Sequence, residues 1–146
     1  MEISILFLPL IASIISGFFG KYIGDRNSEI LTSVFVSISA FLSIFVLYQV
    51  IVNQYEENIV IATWINSGSL DVNWSMLIDP LSAVMLVVVT SVSSLVHIYS
   101  IGYMSHDPHK PRFMAYLSLF TFAMLMLVTS DNFIQLFFGW EGVGLC

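Results

Sequence analysis

Long uncharged stretches separate short clusters of charged residues along this chain. A helix of about 20 apolar residues crosses a hydrocarbon core of about 30 Å. The pattern predicts four complete membrane-spanning helices and a fifth that is truncated. Their expected ranges are about 3–24, 30–53, 80–105, 112–130 and 132–146.

The fifth apolar run begins after Asp131 and continues to Cys146, where the sequence stops. A helix of about 15 residues is about 22 Å long, which is too short to cross the core. The C-terminal carboxylate of Cys146 would then lie inside the bilayer, where a charge costs several kcal/mol. We therefore expect residues 1–146 to be a fragment of a longer protein, or one piece of a split protein.

Residues 58–78 are too polar to span a membrane and follow a different pattern. Apolar and polar side chains alternate from Leu70 to Met76, which is the period of a β-strand. The run 59–65 is rich in β-branched residues, and Ser67-Gly68-Ser69 is typical of a turn. We predict an extramembrane β-hairpin over about 59–77, in which 59–66 pairs antiparallel with 70–77. The fold class is thus an all-α membrane protein with one hairpin.

The composition agrees with a membrane protein and excludes other classes. Of the 146 residues, 58% are hydrophobic and 10% are charged, whereas soluble domains are about 25% charged. Four Lys and Arg against ten Asp and Glu exclude a nucleic-acid partner. A single cysteine excludes an internal disulfide bond. The expected environment is the lipid bilayer.

The basic residues predict an orientation. Lys21 and Arg26 lie in the predicted loop 21–29, and Lys110 and Arg112 lie in the predicted loop 106–112. Alternating spans bring both loops to the same side, which the positive-inside rule makes cytoplasmic. The segment 56–78 is then external, with Trp64 and Trp74 near the lipid headgroups.

Small residues recur every four positions in the first predicted span. Ala12, Ser16, Gly20 and Gly24 lie on one helix face. Such a stripe lets another helix approach closely, so we interpret it as a packing surface.

A polar stripe runs along the third predicted span. Thr90, Ser94 and His97 share one face, and Ser100 extends it. The hydroxyl groups fit either a water path or hydrogen bonds between helices. An ionisable residue inside a membrane is a functional candidate, so His97 is a candidate for a proton path.

Two further residues have ordinary structural interpretations. Asp79 precedes Pro80 at the start of the third span, which is typical of an N-cap. Arg112 begins the fourth span and is expected to anchor that helix at the headgroups.

Glu141 is the strongest functional candidate in the sequence. Ten residues separate it from Asp131 at the expected interface, or about 15 Å along a helix, which is half the core. Its neighbours are large apolar side chains and glycines. A carboxylate at the bilayer midplane is suited to carrying protons.

Several motifs resemble one known family in sequence and in order. They are Asp79-Pro80-Leu81-Ser82, His97-Ile98-Tyr99-Ser100, Gly102-Tyr103-Met104, Arg112-Phe113, Asp131-Asn132-Phe133 and Gly139-Trp140-Glu141-Gly142-Val143-Gly144-Leu145-Cys146. The chain resembles the N-terminal part of the antiporter-like subunit of respiratory complex I, known as subunit L in bacteria and chain 5 in mitochondria.

The resemblance implies proton translocation by the full subunit, with Glu141 paired with a lysine on a later helix that this sequence lacks. His97 would lie near the proton path, and Asp79, Arg112 and Asp131 would be supporting residues. The hairpin would tether neighbouring subunits.

The resemblance also implies the setting. The subunit would belong to NADH:quinone oxidoreductase and contact other membrane-arm subunits of complex I. No cofactor is expected in this chain, because NADH, FMN, iron–sulfur clusters and quinone would bind elsewhere. The location would be the cell inner membrane, or the mitochondrial inner membrane for an organelle-encoded protein.

Two other functions remain open from the sequence. One is an Mrp-type cation/proton antiporter subunit, which gene neighbours would distinguish. The other is a non-conducting structural remnant of a split gene, which a downstream reading frame encoding the missing helices would argue against.

Overall fold

The computed structural model describes all 146 residues as five helices and one two-stranded sheet. In chain order these elements are α1 Glu2–Ile23, α2 Asp25–Asn53, β1 Glu57–Ser67, β2 Leu70–Ile78, α3 Pro80–Tyr103, α4 Lys110–Val128 and α5 Phe133–Leu145. Helices α1 to α4 are long and apolar enough to cross a membrane, whereas α5 has only 13 residues. The predicted membrane architecture with one hairpin is confirmed.

The connection between α1 and α2 is a single residue, so the predicted loop 21–29 is wrong. Gly24 has φ 87° and ψ 157°, and α2 begins immediately afterwards at Asp25. Glycine accepts this positive φ because it has no Cβ atom. Gly24 therefore makes the turn and does not extend the packing stripe. At 29 residues, or about 43 Å, α2 is longer than the core, so its charged first turn can lie outside hydrocarbon.

The rest of the small-residue stripe on α1 packs against α4, as predicted. Ala12 is fully buried. The Ser16 hydroxyl donates to the carbonyl oxygen of Pro111 at 2.9 Å. A Cβ atom on Gly20 would lie 2.6 Å from the Cβ atom of Pro111, so only glycine allows this approach.

The hairpin forms with the predicted strands. β1 and β2 pair antiparallel from Glu57 opposite Ile78 to Ser67 opposite Leu70, with two register irregularities in β1. Gly68 makes the turn with φ 62°. Trp74 of β2 packs on Phe7 of α1 at 6.1 Å between ring centroids.

The connection between α4 and α5 covers the free edge of β2. The backbone N–H of Leu77 donates to the Thr129 carbonyl at 2.8 Å, and the Asn132 amide donates to the Asn73 carbonyl at 2.9 Å. These bonds satisfy strand groups that would otherwise face lipid or the headgroups. The hairpin is thereby fixed to the end of the helical bundle.

The apolar core lies in the half of the bundle next to the hairpin. Its members come from α1, α2, β2, α3 and α4, and the fully buried ones include Leu6, Val46, Met76, Leu86 and Leu125. In the middle of the bundle and in the half away from the hairpin, hydroxyl groups join the helices instead through interhelical hydrogen bonds. The structure thus separates an apolar half from a polar half.

Helix α5 lies close against α4 through glycines. A Cβ atom on Gly139 would lie 2.9 Å from the backbone nitrogen of Leu127, and one on Gly142 would lie 3.1 Å from the Ala123 Cβ atom. Gly144 has open space around it. The close approach therefore depends on Gly139 above all.

All four basic residues lie at the end of the bundle away from the hairpin. Lys21 lies in the last turn of α1, Arg26 in the first turn of α2, and Lys110 and Arg112 in the first turn of α4. We call this end the basic end and the opposite one the hairpin end.

We expect the basic end to face the cytoplasm, because of the positive-inside rule. In a Cys146→Ser background, Ser69→Cys at the hairpin turn and Ser105→Cys between α3 and α4 are both exposed. An impermeant thiol reagent applied to cells should label position 69 and spare position 105. The opposite labelling pattern would reverse the orientation.

We expect Gly139→Ala to destabilise the bundle by about 1–3 kcal/mol, because the new methyl group overlaps the α4 backbone. Gly144→Ala is the matched control, since it adds the same methyl group in open space and should be neutral or slightly stabilising. Unfolding by SDS in mixed micelles measures both. Equal stability of the two variants would show that α5 does not approach α4 this closely.

Candidate functional site

Asp79 caps helix α3, which is the structural role predicted for it. Its carboxylate accepts from the backbone N–H of Ser82 at 2.6 Å, and the Ser82 hydroxyl accepts from the Asp79 N–H at 2.8 Å. This reciprocal capping box satisfies two backbone donors at the helix start. Asp79 therefore fixes where α3 begins.

The hydroxyl groups of the polar stripe on α3 join it to α2. Thr90 bonds Ser43 and Ser94 bonds Ser37, each at 2.8 Å between hydroxyl oxygens. Every hydroxyl group in the stripe has a partner, and Ser100 bonds the carbonyl of Val96 within its own helix. Of the two interpretations that the sequence left open, the contacts favour packing between helices.

His97 is fully buried and joins α3 to α4 instead. Its Nδ1 lies 2.7 Å from the Ser93 carbonyl oxygen, and its Nε2 lies 3.0 Å from the Ser118 hydroxyl. Since a carbonyl oxygen only accepts, Nδ1 carries a proton. In the neutral ring Nε2 is then the acceptor, and Ser118 donates to it.

A second hydroxyl pair lies beside His97. The Ser93 hydroxyl oxygen lies 3.4 Å from His97 Nδ1 and 2.5 Å from the Thr121 hydroxyl oxygen, and the Thr121 hydroxyl donates to the Leu117 carbonyl. The imidazole is therefore held by a small polar network between α3 and α4. Such a network can pass a proton between Nε2 and a hydroxyl, as well as hold the two helices together.

Arg112 lies at the basic end, exposed on the first turn of α4. Its guanidinium Nε donates to the Tyr116 hydroxyl at 3.3 Å and lies over that ring, with 5.6 Å from Cζ to the centroid. This geometry agrees with an interfacial anchor and leaves the charge accessible.

Asp131 lies at the hairpin end between α4 and α5. Burial alone would raise its pKa, but hydrogen bonds from the Asn58 and Asn132 amides lower the pKa of this carboxyl below its ordinary value. The Asn58 amide donates to it at 2.9 Å. An ionised Asp131 therefore ties β1 to the start of α5.

Glu141 lies on the uncovered face of α5. The helix contacts α4 through Gly139 and Gly142, and a step of two residues from Gly139 turns about 200° around the axis. The carboxylate is accordingly exposed and has no hydrogen bond within the chain. The Glu141 carboxylate is therefore accessible to a partner outside these five helices.

The depth of Glu141 follows from contacts between helices. Gly142 packs on Ala123 of α4, two residues from Thr121. Thr121 bonds Ser93, which stands near the middle of α3. Glu141 thus lies level with the middle of α3.

The structure does not bring the predicted site residues together. Asp79 and Asp131 stabilise the hairpin end, and Arg112 lies at the basic end. His97 is inside the bundle, and Glu141 is on its outer surface. Within this chain, no hydrogen bond links the imidazole to the carboxylate.

Two important polar residues were missed in the sequence. Gln135 is fully buried, and its amide bonds both backbone groups of Ser75, accepting at 3.1 Å and donating at 2.7 Å. Glu29 of α2 is also buried, with one carboxylate oxygen lacking a partner. An isolated amide within an apolar run was a signal for Gln135. No such signal marked Glu29, because it falls within the predicted loop 21–29, where a charged residue is expected.

The family model described as NADH-Ubiquinone oxidoreductase (complex I), chain 5 N-terminus matches residues 64–114. This segment runs from the hairpin to the first turn of α4. It contains Asp79, His97 and Arg112.

Curated proteins named NADH-ubiquinone oxidoreductase chain 5 match the whole chain. The one from Arabidopsis thaliana is 56% identical over 145 residues, which are 99% of this chain and 22% of the relative. Those from Phytophthora infestans and Trichophyton rubrum are 53% and 51% identical, over 99% and 100% of this chain and 22% of each relative. The chain therefore spans about a fifth of the length of the curated relatives that it matches.

Proposed function

Because this chain belongs to the chain 5 family of NADH-ubiquinone oxidoreductase (complex I), we propose that it forms the N-terminal membrane region of a proton-translocating subunit. In this proposal Glu141 is a proton-carrying carboxylate in the membrane. The relatives are named NADH-ubiquinone oxidoreductase chain 5, which favours complex I over the Mrp-type antiporter considered from the sequence.

The position of Glu141 is the observation that carries this proposal. A carboxylate level with the middle of α3 is costly in lipid unless it is neutral or paired. Its helix face is uncovered in this chain, whereas the relatives are several times longer. Additional helices of a longer subunit would have room to pack on this face and supply a cation beside the carboxylate. A proton could then be taken up and released as that cation approaches and withdraws.

His97 has a secondary role in the proposal. The bond from Nδ1 to the Ser93 carbonyl fixes the ring, and Nε2 faces the Ser118 hydroxyl. A proton added at Nε2 would reverse the direction of that hydrogen bond without moving the ring. His97 is thus suited to relay a proton between α3 and α4.

Asp79, Arg112 and Asp131 have supporting roles. Asp79 sets the start of α3, Asp131 ties the hairpin to α5, and Arg112 anchors α4 at the basic end. Together these three residues fix the position across the membrane of the helices that carry His97 and Glu141.

The wider setting is also part of the proposal. The chain would be a multi-pass protein of the cell inner or mitochondrial inner membrane, in contact with other membrane-arm subunits. NADH, FMN, iron–sulfur clusters and quinone would bind to other subunits. The coupling of quinone reduction to proton transport is a property of that assembly.

We expect Glu141→Gln in the full-length subunit to lower the number of protons pumped per electron in the assembled complex. Glutamine keeps the volume but removes the titrating group, so electron transfer should fall only as far as it is coupled to pumping. Glu141→Asp keeps a carboxylate that water can bridge and should do less harm. Pumping and NADH oxidation are measured together in proteoliposomes.

Glu56→Gln is the matched control, because Glu56 is an exposed carboxylate beside the hairpin, outside the spans. It should leave pumping unchanged. Full proton stoichiometry in assembled Glu141→Gln complexes would defeat the proposal and leave Glu141 a structural residue.

A further inference from the structure

A cleft of about 750 Å³ lies between α1 and α4 at the basic end. It extends along α1 from Lys21 to Ser13, a rise of about 12 Å. The mouth of the cleft is therefore at the level of the headgroups, and its floor continues into the depth of the spans. Neither His97 nor Glu141 lines it.

The mouth of the cleft is positively charged. Lys21 and Arg112 line it from opposite helices, and both are exposed. The only salt bridge in the chain joins Met1 to Glu2, so neither cation is paired. Asp25 also lines the cleft and offsets one of the two charges. The mouth keeps a formal charge of +1 with His109 neutral.

Backbone dipoles add to this positive potential. Helix α2 begins at Asp25 and α4 begins at Lys110, so two helix N-termini adjoin the mouth, whereas the C-terminus of α1 at Ile23 offsets one of them. A helix N-terminus favours an anion. The side chains and the backbone therefore favour the same sign of ligand charge.

The floor of the cleft is apolar and open towards the membrane. Phe18 is 79% exposed and Ile14 is 45% exposed on α1, and Leu119 lines the α4 side. The Ser13 and Ser16 hydroxyls donate to backbone carbonyls of α4 and are not free for a ligand. The cleft thus offers cations at the headgroup level and only hydrocarbon contact below it.

We propose that this cleft binds a phospholipid with an anionic headgroup. The phosphate would lie between Lys21 and Arg112, and the first part of an acyl chain would follow Phe18 and Ile14 into the bilayer. A free phosphate would use only the mouth. A zwitterionic lipid carries its own cation, which would face these two positive side chains.

The test compares retained lipid by native mass spectrometry after the 146-residue chain is released from nanodiscs. Phosphatidylglycerol is the anionic probe and phosphatidylcholine the zwitterionic probe. The variant Lys21→Gln/Arg112→Gln removes both cleft cations. A basic residue near an anionic surface contributes about fivefold to binding, so retention of phosphatidylglycerol should fall about 25-fold.

The chain contains its own matched control. Arg26→Gln/Lys110→Gln removes the same charge from the same end, but neither residue lines the cleft. This pair should keep phosphatidylglycerol bound, and Lys21→Arg should keep it as well. Lipid retention depends on a folded chain. Tryptophan emission is therefore compared between each variant and the parent, to confirm that the variant folds.

Three results would overturn the proposal. Equal retention of the two lipids would show that the headgroup charge is not recognised. Equal losses in the two double variants would show general attraction to the basic end. Displacement of phosphatidylglycerol by inorganic phosphate at equal concentration would show that the acyl chain adds nothing and that the site binds free anions.

Discussion

Gln135 joins the helical bundle to the hairpin through both backbone groups of one strand residue. Its amide oxygen accepts from the Ser75 N–H, and its amide nitrogen donates to the Ser75 carbonyl. The side chain is fully buried, so breaking this pair would leave four polar groups without partners, at about 1–3 kcal/mol for each unsatisfied group. The contact fixes the level at which α5 starts, and thereby the depth of Glu141.

The polar groups inside the bundle follow the same constraint. Hydrocarbon offers no hydrogen bonds, so hydroxyls within the spans must find partners in the protein. Ser37 with Ser94 and Ser43 with Thr90 do so between α2 and α3, and His97 with Ser118 does so between α3 and α4. Glu141 differs from these groups, because its carboxylate is exposed on the uncovered face of α5 and has no partner in the chain. That contrast is the physical basis for assigning it a function.

The spans and the hairpin were predictable because each depends on a pattern within a short segment. Uncharged runs determined the helices, and alternation from Leu70 to Met76 determined β2. The start of α2 was misplaced because its first turn carries charges that a helix longer than the bilayer tolerates. The partners of His97 and Gln135 were not predictable, because they lie 21 and 60 residues away and depend on the register between elements.

The depth of Glu141 in the membrane can be measured directly. A nitroxide label at position 141, in a Cys146→Ser background in nanodiscs, reports depth through its relative accessibility to oxygen and to a water-soluble nickel complex. We expect a value near the bilayer centre that shifts towards the surface when Gln135→Leu is added. A label at headgroup depth, or a depth unchanged by Gln135→Leu, would contradict the account.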